Sequence, residues 1–98
     1  MKGWCNEETW NLVNYIDNDR RAYMEVRDII REGIRRGYTK TDVSENLHDW
    51  LLDKMLEVDF RMFPFFRDAI EFSMRKVDFI EIAHEKMIEM IEDELNKD

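Results

Sequence analysis

The stretch Thr41–Val58, TDVSENLHDWLLDKMLEV, constrains this chain most. Its apolar residues Val43, Leu47, Trp50, Leu51, Met55 and Val58 recur at three- and four-residue steps with neither Gly nor Pro between them. Such spacing predicts an amphipathic helix. At about 100° per residue these positions share one side, and Asp42, Glu45, Asp49, Asp53 and Glu57 fall within an arc of roughly 120° on the other. One face is core and the other is a column of carboxylates. Thr41 is the expected N-cap, with Asp42 at the positive end of the helix dipole.

The flanking sequence reads in the same way. Asn6 can cap a first helix that carries Glu7 and Glu8 in its first turn and buries Thr9, Leu12, Val13 and Ile16, with Trp10 at the border. The run Asp17-Asn18-Asp19 ends it and offers a cap for a second helix. That helix runs to about Arg36, buries Ala22, Tyr23, Val26, Ile29, Ile30 and Ile34, and stops at Gly37, which can adopt the left-handed conformation of a C-terminal cap. Gly33 within it is tolerated at about 1 kcal/mol relative to Ala. Pro64 suits the start of a fourth helix, with Phe66, Ala69, Ile70, Ser73, Met74 and Val77 on its buried side. Phe60, Met62, Phe63, Phe65 and Phe66 read as an aromatic plug at one end of the core.

Asp78 can cap a last helix, FIEIAHEKMIEMIEDELN, whose Phe79, Ala83, Met87, Met90 and Ile91 point inward. Ile80, Ile88 and Leu95 widen its stripe beyond what the bundle requires. Homodimerisation would cover them, and a stripe that wraps around the bundle is the other reading. With three Gly and one Pro in 98 residues and 44% hydrophobic content, the chain has little material for turns and enough for one modest core. The expectation is a single domain over residues 1–98, an all-α compact bundle of about five helices with no sheet.

Chemical motifs are scarce. Glu45-Asn46-Leu47-His48 and Glu81-Ile82-Ala83-His84 have the Glu-x-x-His spacing by which bundles hold two metal ions. On ideal helices, however, both Glu residues lie opposite the apolar face and both His residues near its edge, so no metal ligand is assigned. The sequence offers no Cys/His cluster with zinc spacing, no Gly-rich phosphate loop and no nucleophile beside a placed base. Cys5 reads as a small, partly buried hydrophobe. The chain is therefore expected to act without catalytic residues or cofactor. The lone Cys, together with an N-terminus that lacks a charged and apolar leader pattern, makes a reducing cytoplasm the expected location.

Charge is more informative. The formal net charge is −8, which opposes binding to nucleic acid or to an anionic membrane and favours a basic protein partner. Residues 1–40 carry 7 acidic and 8 basic side chains, whereas residues 41–98 carry 16 acidic and 7 basic. Asp78, Glu81, Glu85, Glu89 and Glu92 form a second column on the last helix. Each column places a carboxylate about every 6 Å along some 20 Å of helix, a spacing comparable to that of phosphates along a strand. An ordinary solvated face that improves solubility has the same pattern. Arg27, Arg31 and Arg35 recur on helix two with Arg20, Arg21 and Arg36 nearby, and interleaved Glu25, Asp28 and Glu32 point to internal or intersubunit ion pairing.

Glu8-Thr9-Trp10, the run Tyr15-Ile16-Asp17-Asn18-Asp19 with Tyr23 beyond it, and Val77-Asp78-Phe79 with Glu81-Ile82-Ala83 together resemble a family of small proteins of unknown function carried by phages, plasmids and other mobile elements. The chain departs from that pattern at Asn14-Tyr15 and Arg21-Ala22. The resemblance implies a mobile-element origin and supplies no catalytic residues. With the acidic columns, it leads to a phage or mobile-element interaction protein that blocks a host nucleic-acid-binding defence enzyme, of anti-CRISPR or anti-restriction type. The alternative is a homodimeric structural or regulatory protein that binds its partner through the apolar last helix. Because Trp50 lies mid-stripe, Trp50→Ala should lower the unfolding free energy by about 3–5 kcal/mol, measured by urea denaturation. A loss below about 1 kcal/mol would mean that the helix is phased differently.

Overall fold

Each of the four long helices begins at a side chain that accepts backbone N–H groups left unpaired by the first turn. In the computed structural model, which describes residues 3–57 and 71–96, Asn6 Oδ1 accepts from the Thr9 N–H at 2.8 Å and opens α1 (Glu7–Asn18). Asp19 Oδ1 accepts from the Ala22 N–H at 2.9 Å and opens α2 (Arg20–Arg35). The third helix, α3 (Lys40–Leu56), starts from Thr39 and not from the expected Thr41. Thr39 Oγ1 accepts from the Asp42 N–H while Asp42 Oδ2 accepts from the Thr39 N–H, both at 3.2 Å. Such a reciprocal box needs an acceptor side chain three residues after the cap. Asp42 provides it for Thr39, whereas Ser44, three residues after Thr41, turns its hydroxyl back to the Thr41 carbonyl at 2.6 Å. Residues 71–76 are also helical and are termed α4. Asp78 Oδ1 accepts from the Glu81 N–H at 3.0 Å and opens α5 (Phe79–Leu95).

The result is a compact all-α bundle, with no strand among the described residues. Its core draws on Val13 and Ile16 of α1, Ala22, Val26 and Ile30 of α2, Val43, Leu47 and Trp50 of α3, and Ile82, Ala83 and Met90 of α5. Three expected core residues lie outside it: Tyr23 is 40% exposed, Ile91 is 46% exposed, and Ser73 is also exposed. On α5 the inward row is instead Ile82, Lys86 and Met90, at four-residue steps, beside Ala83. Apolar residues extend so far around this helix that its periodicity admits more than one phase, and packing against α2 and α3 selects one. The expectations at Val58, Phe60, Met62, Phe63, Pro64, Phe65, Phe66, Ala69 and Ile70 lie outside the described residues. Among the described residues no helix is long and apolar enough to cross a membrane.

Helix α2 ends in a left-handed turn. Gly37 has φ +72°, its N–H donates to the Ile34 carbonyl at 3.1 Å, and the Tyr38 N–H donates to the Gly33 carbonyl at 2.8 Å. These are the paired bonds of a Schellman cap, and they turn the chain back into α3. Gly33 is more than tolerated. A Cβ built on it would lie 2.6 Å from Cγ2 of Val43, a fully buried, β-branched side chain on α3 that has little room to move. The missing side chain lets α2 and α3 approach closely at this end. Gly33→Ala should therefore destabilise the fold, by up to about 2 kcal/mol, as overpacking of about 1–3 kcal/mol offsets the helix-propensity gain of about 1. In a Val43→Ala background the same change should be neutral or stabilising. Thermal or urea unfolding of the four-member cycle tests this, and stabilisation by Gly33→Ala alone would show the approach to be relaxed.

Candidate functional site

The carboxylates of α3 emerge from the face opposite Val43, Leu47 and Trp50. Asp42, Glu45, Asp49, Asp53 and Glu57 are all exposed. Asp42 is committed to the capping box, and the others follow at four-residue steps. Asp49 lies 3.8 Å from Nδ1 of His48, and Glu57 lies 3.8 Å from Lys54, whose ammonium is engaged elsewhere. Glu45 and Asp53 have no side-chain hydrogen bond or ion pair among the described residues. From Glu45 to Glu57, this leaves carboxylates about 6 Å apart with little internal neutralisation.

The α5 column is put to more varied use. Asp78 caps its own helix, and Glu81 is half-buried, with Oε1 accepting from the Cys5 N–H at 3.1 Å, so it is not the freely solvated residue the spacing predicted. Glu89 lies 3.5 Å from the buried Lys86 ammonium. Glu85 and Glu92 are exposed and have no ionic partner among the described residues. Ile88, three residues from Glu85 and four from Glu92, shares their outward face, so this column is interrupted by an apolar side chain. Ile80, Ile88 and Leu95 are all exposed, at 44%, 37% and 78%.

The arginines of α2 are largely paired within their own helix. Arg21 meets Glu25, Arg31 meets Asp28, and Glu32 receives both Arg35 and Arg36. Arg27 donates to the Tyr23 hydroxyl at 3.2 Å. These contacts agree with internal ion pairing. A stronger node is Glu25, whose carboxylate accepts from the Trp50 indole N–H and from Lys54 Nζ of α3, each at 2.8 Å, as well as from Arg21. Lys54, then Trp50 and Arg21, hold Glu25 at about 2, well below the ordinary carboxylate range. Helical periodicity does not reveal this bridge. The available signal was Trp50 itself, because a buried indole N–H needs an acceptor and the neighbouring helix carries three carboxylates.

Two polar clusters were also unforeseen. Lys86 is buried in the inward row of α5, with its ammonium 2.5 Å from Asp17 on α1. A lysine within an apolar periodicity reads as a border residue until the facing helix supplies its counter-ion. At the other end of α5, Cys5, Asp78 and Glu81 bring three potential ligand atoms within 4.8 Å of one another. Their present partners are one another, the Thr9 hydroxyl and backbone N–H groups. Cys5 is exposed, and Glu81 beside it pushes the thiol above its ordinary value. Glu45, His48, Glu81 and His84 do not converge, and the His48 ring packs edge-on against Phe79, 5.2 Å between centroids.

Comparison with known protein families, curated proteins and solved structures finds no match for the chain. The functional reading rests on surface chemistry. The Glu25 node carries a pH dependence whose sign is determined. A carboxylate lowered in the folded state stabilises the fold above its unfolded value near 4.5, and this contribution is lost as pH falls toward about 2. Stability measured by denaturation should fall across that acidic window, and Glu25→Gln should make the fall shallower. An equally steep fall in the variant would assign the acid sensitivity to other carboxylates.

Proposed function

We propose that this chain is a small, non-catalytic interaction protein whose exposed carboxylates occupy a basic, nucleic-acid-binding groove on another protein. The observation that carries this reading is the α3 column. Glu45, Asp49 and Asp53 on α3, with Glu57 at its C-cap, are exposed at regular four-residue steps and are little neutralised from within the molecule. A groove lined with Lys and Arg to hold a phosphate strand would meet charges of the same sign at a comparable spacing. Glu85, Glu89 and Glu92 of α5 extend the negative surface. Asp42, Asp78 and Glu81 belong to the same columns but contribute chiefly to helix starts and chain packing.

Together with the resemblance to mobile-element proteins, this supports an inhibitor of a host nucleic-acid-handling defence enzyme, of anti-CRISPR or anti-restriction type, acting in the host cytoplasm. The reading requires no metal or cofactor. A second reading follows from the exposure of Ile80, Ile88 and Leu95: a structural or regulatory protein that binds a protein partner through the apolar part of α5.

Charge reversal separates the two. Asp49→Lys, Asp53→Lys and Glu57→Lys together should leave the fold largely intact, since exposed substitutions usually change stability by about 0.5 kcal/mol or less. In pull-downs from host lysate read by mass spectrometry, the unmodified chain should capture a nucleic-acid-binding enzyme at low salt and release it at high salt. The triple variant should fail to capture it. Retention by this variant and by Glu85→Lys with Glu92→Lys, both folded by circular dichroism, would exclude the phosphate-like reading and transfer the site to the apolar face.

A further inference from the structure

The C-terminal halves of α2 and α5 enclose an open groove of about 380 Å³. Its floor and lip are apolar: Ile34 is half-buried, Met90 is buried, and Ile91 and Leu95 are 46% and 78% exposed. The two rims have opposite charge. Arg31 and Arg35 line the groove from α2, each also meeting an exposed carboxylate of its own helix, Asp28 and Glu32, and Glu94 lines it from α5.

The last turn of α5 adds an independent observation. Glu92, Asp93 and Glu94 crowd it, and it contains no basic residue. The carbonyl end of a helix is its negative pole, so carboxylates there are unfavourable and cations would relieve them. Helix α2 shows the favourable arrangement, with Arg35 in its last turn. Among the described residues, the last turn of α5 thus lacks the cations that the facing rim of the same groove carries.

We infer that this groove is the interface of a two-fold homodimer, in which Arg31 and Arg35 of each copy lie against Glu94 and the acidic end of α5 of the other. A two-fold axis running along the groove superposes apolar floor on apolar floor and exchanges the rims. Each basic rim then meets an acidic one, and the contact is made twice. A groove with rims of one charge would repel its own copy, and one with neutral rims would not select it. The site differs from the face expected from periodicity. Of Ile80, Ile88 and Leu95, only Leu95 belongs to the groove. The inference is independent of the α3 column, whose test residues lie elsewhere; of the α5 column, only Glu92 belongs to the acidic helix end.

Sedimentation of the full chain tests it. The unmodified protein should sediment as a dimer at tens of micromolar and dissociate as salt rises. Ile91→Lys with Leu95→Lys, at positions exposed enough to tolerate the change, should give a folded monomer, whereas Ile80→Lys with Ile88→Lys should remain dimeric. The decisive pair is Arg31→Glu with Arg35→Glu in one chain and Glu94→Arg in another. Each variant alone has rims of one sign and should be monomeric, and an equimolar mixture should form a heterodimer. A monomeric unmodified chain would overturn the inference and leave the groove to a different protein. So would a dimer that survives the Ile91 and Leu95 changes, or charge variants that stay folded yet fail to associate on mixing.

Discussion

Helix α3 is held against both α5 and α2, and its contact with α2 helps to orient the α3 carboxylates. That contact is set at both ends by different physics. Near the turn, Gly33 presents bare backbone to Val43 and the two helices approach until the methyl group fills the gap. At the far end, the Glu25 carboxylate bridges to the Trp50 indole and the Lys54 ammonium. A steric stop and a charge-assisted bridge, separated by about two turns of helix, determine both register and rotation. With Val43, Leu47 and Trp50 turned inward in this way, the α3 carboxylates are left facing solvent.

A second junction closes the chain on itself. Asn6 serves two helices: its Oδ1 caps α1, and its Nδ2 donates to the Lys76 carbonyl at the end of α4 at 2.7 Å. The buried Thr9 hydroxyl accepts from the Asp78 N–H at 2.9 Å, and Glu81 accepts from the Cys5 N–H. Segments nearly seventy residues or more apart are thus joined through backbone groups that the helix ends would otherwise leave unpaired. Among the described residues, no buried side-chain nitrogen or oxygen lacks a hydrogen-bond partner. Thr9, Asp78 and Glu81 belong to this junction, and Asp17 pairs with Lys86 one side of α1 further on.

The surface divides the carboxylates into those the fold uses and those it leaves available. Asp17, Asp19, Glu25, Asp42, Asp78 and Glu81 cap helices, neutralise buried or half-buried cations, or hold the terminal segment. Glu45, Asp53, Glu85 and Glu92 do none of these among the described residues. An inhibitor that imitates a phosphate strand would draw on this second set, and a dimer formed through the α2–α5 groove would draw on neither the α3 column nor Glu85. The two proposals can therefore hold together, with the dimer presenting two negative surfaces.

Helix existence was legible in the sequence, because it depends on nearest-neighbour chemistry: three- and four-residue periodicity, short polar caps at Asn6, Asp19 and Asp78, and a left-handed Gly37. The exposure of the α3 column was legible for the same reason, since Val43, Leu47 and Trp50 recur on one side and the carboxylates on the other, although the exposed Leu52 also lies among the carboxylates. Where local signals compete, the sequence did not decide. Thr39 and Thr41 compete as caps and only Asp42, three residues after Thr39, separates them, whereas α5 has apolar residues around so much of its circumference that Ile82 and Lys86, not Ile91, turned inward only on contact with neighbouring helices. The tasks of Gly33, Glu25, Lys86 and Glu81 exist only between elements. A missing Cβ matters when Val43 stands opposite it, and a carboxylate becomes a bridge only when another helix brings an indole, an ammonium or an unpaired N–H within hydrogen-bond reach.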